Sequence, residues 1–170
     1  FDLMFSCTGS SSTAFLIYQI LEKLLGTQAI TRSMAESLYV GMMTDTGNFS
    51  FSFLTPELYR AVALLVETGI DIPTIHNNVY NAFTEGRARL FGYAINRKME
   101  VIQDGTVAYM SLLENEMRRF QFQQGDSEGF VNYALTVKKM KMSAMFLAHR
   151  KFIRVSLRSR GDVDVNLFAR

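Results

Sequence analysis

The change of hydrophobic period near Met99 constrains this chain more than any other feature. Up to Lys98 the apolar residues recur at helical spacing, and beyond it they alternate as they do in strands. Asp104-Gly105, lying between residues 99–103 and 106–111, is hairpin turn chemistry. A chain written in that order folds as a helical segment followed by an α+β segment. With 48% hydrophobic residues, 14 Phe and only 2 Pro among 170 residues, it can fill a core, which excludes disorder and collagen-like architecture. The longest clean apolar run, residues 61–66, falls far short of the ~18 needed to span a membrane.

Local signals divide the helical part. Gly9-Ser10-Ser11-Ser12-Thr13 offers N-caps for a helix over 13–25, with Gly26 as its stop. Ser33 with Glu36 has the capping-box spacing and predicts a helix from there to about Met43. Thr55-Pro56 starts a third helix with an apolar stripe of Leu58, Val62, Leu65 and Val66, ended by Gly69. Asp71 caps a shorter one running to about Phe83, and Thr84 begins a basic helix reaching Lys98. After the hairpin, short helices are expected at 113–120 and 126–135, and strands at 141–147 and 152–159, the last alternating Ile153, Val155 and Leu157. Both ends read as interior to a longer chain: residues 1–5 as a strand lacking its predecessors, residues 164–170 as a helix just begun.

Charge divides the chain as well. Residues 1–85 hold 3 Lys+Arg against 8 Asp+Glu, whereas residues 86–170 hold 15 against 8. An acidic half and a basic half suit metal binding and phosphate binding respectively, or two solvated surfaces of different composition.

The richest stretch for chemistry is Thr44-Asp45-Thr46-Gly47-Asn48-Phe49-Ser50-Phe51. Asp45 falls at a helix C-terminus, where the dipole disfavours an anion, and Gly47 permits a sharp turn just after it. Two readings fit: a hard-cation ligand, or an Asx-turn in which Asp45 satisfies the backbone of Gly47. Asp126 and Glu128 read as a helix N-terminus. His76 and His149 lack a second ligand at metal spacing and read as structural. The single cysteine, Cys7, cannot form an internal disulfide and reads as the reduced thiol of a cytoplasmic protein. The serine-rich loop lacks the Gly-Lys-Ser/Thr ending of a P-loop and reads as capping.

The Thr44–Phe51 string, preceded by the helix Glu36-Ser37-Leu38-Tyr39-Val40-Gly41-Met42-Met43, resembles the fourth motif of DHH-family phosphoesterases. Ser11-Ser12-Thr13 is similar to the serine-threonine stretch after that family's Asp-His-His motif. Gly125-Asp126-Ser127-Glu128-Gly129-Phe130-Val131-Asn132 and Val155-Ser156-Leu157-Arg158-Ser159-Arg160-Gly161 resemble its DHH-associated C-terminal domain. The nearest branch is that of the bacterial nanoRNases and phosphoadenosine phosphate phosphatases, relatives of RecJ.

The resemblance implies an α/β fold: the C-terminal helical part of a DHH catalytic domain over residues 1–83, a connecting helix over 84–98, and an incomplete α+β substrate-binding domain with a mixed sheet over 99–170. It implies two manganese ions, with magnesium as the alternative, and makes Asp45 a metal ligand. It also makes Arg158, with Ser159 beside it, the holder of a substrate phosphate; a solvated strand end is the other reading of Arg158. No residue here corresponds to a catalytic acid or base. The family's remaining metal ligands and its glycine-rich motif have no counterpart in residues 1–170, so these residues alone are expected to be inactive. The implied function is hydrolysis of short oligoribonucleotides or of 3′-phosphoadenosine 5′-phosphate, with a nucleotide or oligonucleotide partner, no membrane, and room for a homo-oligomer. The alternatives are a RecJ-like single-strand exonuclease and a non-catalytic nucleotide- or nucleic-acid-binding module.

Overall fold

Side-chain caps start four of the first five helices where the sequence places them. The computed structural model describes residues 4, 6–7, 9–50 and 53–167, so the strand expected over residues 1–5 lies largely outside the described residues. Helix α1 (Thr13–Leu25) begins where the Ser12 hydroxyl accepts the Phe15 N–H at 2.9 Å, and it stops at Gly26. Helix α2 (Arg32–Asp45) begins earlier than expected. Thr31, not Ser33, is the cap: its hydroxyl accepts the Met34 N–H at 3.3 Å and its carbonyl accepts from Ala35. Glu36 is drawn instead to Arg32, at 3.2 Å.

Helix α3 (Pro56–Glu67) starts on the Thr55 cap with proline in its first turn. Its buried stripe is Leu58, Ala61 and Leu65, with Val62 partly covered; Val66 points outward and is 40% exposed, so the stripe is rotated from the expected one. Helix α4 (Ile72–Tyr80) is capped by Asp71, whose carboxylate takes bonds from the Thr74 hydroxyl and N–H and is thereby held below the usual carboxylate range. It ends short of Phe83, because Asn81 closes it with bonds back to Asn77.

Phe15 and Tyr18 of α1, Leu38, Met42 and Met43 of α2, and Leu58 and Leu65 of α3 form one core. Burying each such large side chain contributes about 1.5–3 kcal/mol. Helices α1 and α2 meet most closely at Ala14 and Gly41, where a Cβ built on Gly41 would lie 2.5 Å from the Ala14 Cβ. Glycine is therefore required by proximity at that position, not by a turn. The contact seats the start of α1 beside the end of α2.

The second core is built on a sheet. Helix α5 (Glu85–Tyr93), begun by Thr84, continues into a π-helical turn over Ala94–Lys98, and Leu90 and Ala94 are fully buried. Strands β1 (Met99–Ile102) and β2 (Val107–Leu112) form the expected hairpin. Helices α6 (Glu114–Arg119) and α7 (Phe130–Ala134) follow, then β3 (Met142–Ala148) and β4 (Ile153–Ser159). Helix α7 is shorter than expected, since residues 123–129 form turns ending at left-handed Gly129.

The strand order is β1-β2-β3-β4, with antiparallel, parallel and antiparallel pairings, so the sheet is mixed. Met110, Leu112, Met145 and Leu147 join the buried core with Phe130 and Met117. Strand alternation sends Val155 and Ile153 to the opposite face, where they are exposed. Buried Ser143 fits the core because its hydroxyl donates to the Val131 carbonyl at 2.6 Å.

The fold is thus α/β with a mixed sheet, in two compact units, Phe1–Ala82 and Phe83–Arg170. Among the described residues no helix is long and apolar enough to cross a membrane.

The Ala14–Gly41 approach yields a test with a decided sign. Alanine at a helix interior is favoured over glycine by about 1 kcal/mol, whereas overpacking costs about 1–3 kcal/mol. Since the obstructing atom is a short side chain fixed to its own helix, Gly41→Ala is expected to lower stability. Denaturant unfolding of both proteins checks this, and a more stable variant would refute the close-contact account.

Candidate functional site

Asp45 is the last residue of α2, at the helix end where the sequence places it. Beyond it the chain turns tightly: Gly47, Asn48 and Phe49 all have φ near +57°. That conformation suits glycine, but it costs roughly 1–2 kcal/mol for each other residue and is rare for a bulky side chain. Thr46 holds the turn. Its buried hydroxyl donates to the Met42 carbonyl at 2.6 Å and accepts the Phe49 N–H at 3.1 Å. Phe49 in turn packs against Tyr39 and Tyr59.

The Asx-turn alternative for Asp45 is not what forms. The Gly47 N–H bonds to the Thr44 carbonyl at 3.2 Å. The Asp45 carboxylate is exposed and has no hydrogen-bond or ion-pair partner among the described residues. It borders a concavity of about 430 Å³ lined also by Ser6, Cys7, Ser10, Ser11, Ser12, Thr13 and Leu16. Ser12 is occupied as the α1 cap, and the Ser10 hydroxyl donates to the Ser12 carbonyl at 2.9 Å. The Ser11 hydroxyl oxygen is buried with no partner among the described residues.

Within the serine loop Ser12 alone caps the helix, and the Ser11 hydroxyl, in the same concavity as the carboxylate, is not taken up by the cap. No spacing rule separates Ser11 from Ser12 in the sequence; only the direction of the first helical turn does.

These donors suit a hard divalent cation, which prefers carboxylate and hydroxyl oxygen to sulfur. They are a partial set. No group of three His, Cys, Asp or Glu side chains gathers among the described residues, so Asp45 is the one anionic ligand they offer at this concavity.

Arg158 lies near the C-terminal end of edge strand β4, opposite buried Ser143. One guanidinium nitrogen donates to the Leu157 carbonyl at 2.8 Å, and the side chain is exposed without an ion-pair partner among the described residues. The planar fork thus keeps donors for a phosphate. Ser159 follows it in the strand. Its hydroxyl donates to the Val163 carbonyl at 2.5 Å, so its proton braces the turn at Gly161.

His76 bonds the Tyr39 hydroxyl at 3.2 Å and His149 stacks on Phe152. Asp126 and Glu128 do not start a helix as expected: an Asp126 carboxylate oxygen accepts the Gln123 N–H within the turns that precede α7, whose N-cap is Gly129. Burial pushes the Tyr39 phenol up from its ordinary value.

A helix ending on an aspartate beside a serine-rich helix start, and a mixed sheet whose edge strand carries an exposed arginine, occur in a chain that is similar in sequence and structure to phosphoesterases of the DHH kind. It is 26% identical, over 162 residues, to the bifunctional oligoribonuclease and PAP phosphatase NrnA of Thermus thermophilus, matching 94% of this chain and 46% of that protein. The crystal structure of an exopolyphosphatase-related protein from Bacteroides fragilis matches with a TM-score of 0.92 and 36% identity, over 97% of this chain and 48% of that one. A 92-residue stretch, 54% of the chain, is 33% identical to an uncharacterized protein of Mycoplasma pneumoniae, of which it covers 27%. The chain spans less than half the length of each of these relatives. No family model matches it.

The turn behind Asp45 can be tested apart from any ligand. Thr46→Val keeps the side chain's shape but leaves the Phe49 N–H without its acceptor, which is expected to cost about 1–3 kcal/mol. Thermal and denaturant unfolding would measure it, and an unchanged stability would mean that the Thr46 hydroxyl does not hold the turn.

Proposed function

We propose that this protein hydrolyses phosphate esters of short oligoribonucleotides or of 3′-phosphoadenosine 5′-phosphate, with two bound manganese ions, or magnesium in their place. The observation that carries this reading is Asp45: a carboxylate at an unfavourable helix end, without a partner among the described residues, beside the orphaned Ser11 hydroxyl. The relation to NrnA supports the nucleotide substrate. When bound, a pair of such ions lowers the pKa of a water and neutralises charge on the phosphate.

The chain's own residues have separable roles. Asp45 holds a cation, and the Thr46 bonds keep its carboxylate at the helix end. Ser11 offers a neutral oxygen in the same concavity. Arg158 grips a phosphate of the substrate, and Ser159 acts as a positioning residue that fixes the turn after it. Residues 1–83 would thus serve the metal and residues 99–170 the substrate, with 84–98 connecting them.

Two experiments on the full-length protein test this. Asp45→Asn removes the ligand's charge at nearly constant shape. It should leave thermal stability intact, weaken manganese binding by calorimetry, and reduce metal-dependent hydrolysis by orders of magnitude; near wild-type turnover would refute the assignment. Arg158→Ala should weaken dinucleotide binding about ten- to a hundredfold, the effect of one charged hydrogen-bond pair of roughly 1.5–3 kcal/mol. Arg158→Lys should restore only part, since it keeps charge but loses the fork. If Arg158→Ala binds a dinucleotide as tightly as wild type at low salt, Arg158 is a surface residue.

A further inference from the structure

Residues 129–161 contain eight Lys and Arg and no Asp or Glu. The fold divides these cations between two ends of the β3–β4 hairpin. At the end nearer Arg158, Lys138, Lys139, Lys141 and Arg160 line a cleft of about 470 Å³ with Thr106, and a single acid, Asp162, joins them. All four cations are exposed, and none has an ion-pair partner among the described residues.

The backbone beneath them is fixed. Met140, between the lysines, is 2% exposed and anchors the loop in the core. The Lys141 N–H donates to the Thr106 carbonyl at 2.7 Å, and the Arg160 N–H to the Lys141 carbonyl at 3.0 Å. That last bond carries the β3–β4 pairing one residue past Ser159, so Lys141 opposes Arg160 as Ser143 opposes Arg158. By the two-residue period, Arg158, Arg160 and Lys141 then share one face. Successive positions on such a row lie about 7 Å apart, a step comparable with that between neighbouring phosphates of an extended strand.

Two arginines one such step apart, with Lys141 across from the second and Lys138 and Lys139 lining the same cleft, almost without counter-charge, suit a linear polyanion better than a single phosphate. We propose that this cleft is an extension subsite, in which Lys138, Lys139, Lys141 and Arg160 take the phosphates that follow the one held at Arg158. Its ligand is a linear chain of phosphates, such as the backbone of a single-stranded oligonucleotide. The proposal rests on the reading of Arg158 as a phosphate holder, and it explains how a site could favour chains longer than two nucleotides.

The test is binding by the full-length protein in the presence of a chelator, so that it does not depend on hydrolysis. Fluorescein-labelled oligoadenylates of two and six nucleotides are titrated against wild type and the variant carrying Lys138→Gln, Lys139→Gln and Lys141→Gln. The six-mer is expected to bind about tenfold more weakly to the variant. Its salt dependence should flatten by about 0.7 in log–log slope for every phosphate that the variant no longer neutralises. Dinucleotide affinity should change less than twofold.

Inorganic polyphosphate added as competitor separates the sources. Displacement of the six-mer from wild type but not from the variant makes the phosphate chain itself the ligand, and failure to displace it from wild type makes the nucleic-acid backbone the ligand. Lys139→Glu, a single exposed change, should weaken the six-mer in the same direction. Unchanged six-mer affinity and salt slope would overturn the proposal, as would an equal loss for both lengths. Failure of the hydrolytic reading is seen separately, in the turnover of Asp45→Asn.

Discussion

The close approach of Ala14 and Gly41 is the contact on which the arrangement around Asp45 depends. Two helices can bring a cap loop and a helix end together only if their backbones nearly touch, and any Cβ at position 41 would lie 2.5 Å from that of Ala14. Four residues beyond Gly41 stands Asp45, and two residues before Ala14 stands Ser12, the cap that turns the serine loop. The large side chains Met42, Met43, Leu58 and Leu65 supply the burial that holds the helices there. Core packing and site geometry are therefore one problem in this unit.

The second unit is built differently, carrying exposed cations on hydrogen-bonded strands and a loop anchored by buried Met140. Its mixed sheet is covered on one face by Leu90, Met117 and Phe130, and Arg158 near the end of edge strand β4, with Arg160 just past it, is exposed where Met140 pins the loop before β3. Strand pairing sets the spacing of the charges, and Lys138, Lys139, Lys141, Arg158 and Arg160 have no ion-pair partner among the described residues. A surface of this kind gains little stability from its cations, since exposed pairs contribute at most about 1 kcal/mol. The proposed binding role gives their concentration there a reason.

Strain and unsatisfied groups in the described helical unit collect in one place. The left-handed run over Gly47, Asn48 and Phe49, the buried Thr46 hydroxyl, the unpartnered Asp45 and the orphaned Ser11 hydroxyl lie within or beside a single turn. Elsewhere in that unit local preference and tertiary structure agree, with Thr31, Thr55 and Asp71 each capping a helix. Departure from that consistency is what the proposed metal-ligand role of Asp45 would call for.

Much of this was legible in the residues themselves. The span of α1, the start of α3 at Thr55-Pro56, the hairpin at Asp104-Gly105 and the place of Asp45 at a helix end follow from local chemistry: caps, a fixed proline φ and turn residues act over a few positions. The cap of α2 at Thr31, the rotation of the α3 stripe away from Val66 and the early end of α4 did not, because each was decided by what the helix packs against or by a competing side-chain bond. The same holds for the site. Residue type and position singled out Asp45 and Arg158 as candidates, but that Ser11 has no partner among the described residues, that the Ser159 hydroxyl donates to Val163, and that Lys141 stands opposite Arg160 depend on directions and registers between distant segments. Local sequence sets where a helix or turn can start; only the packed chain sets which way each side chain faces and which hydrogen bonds remain unmade.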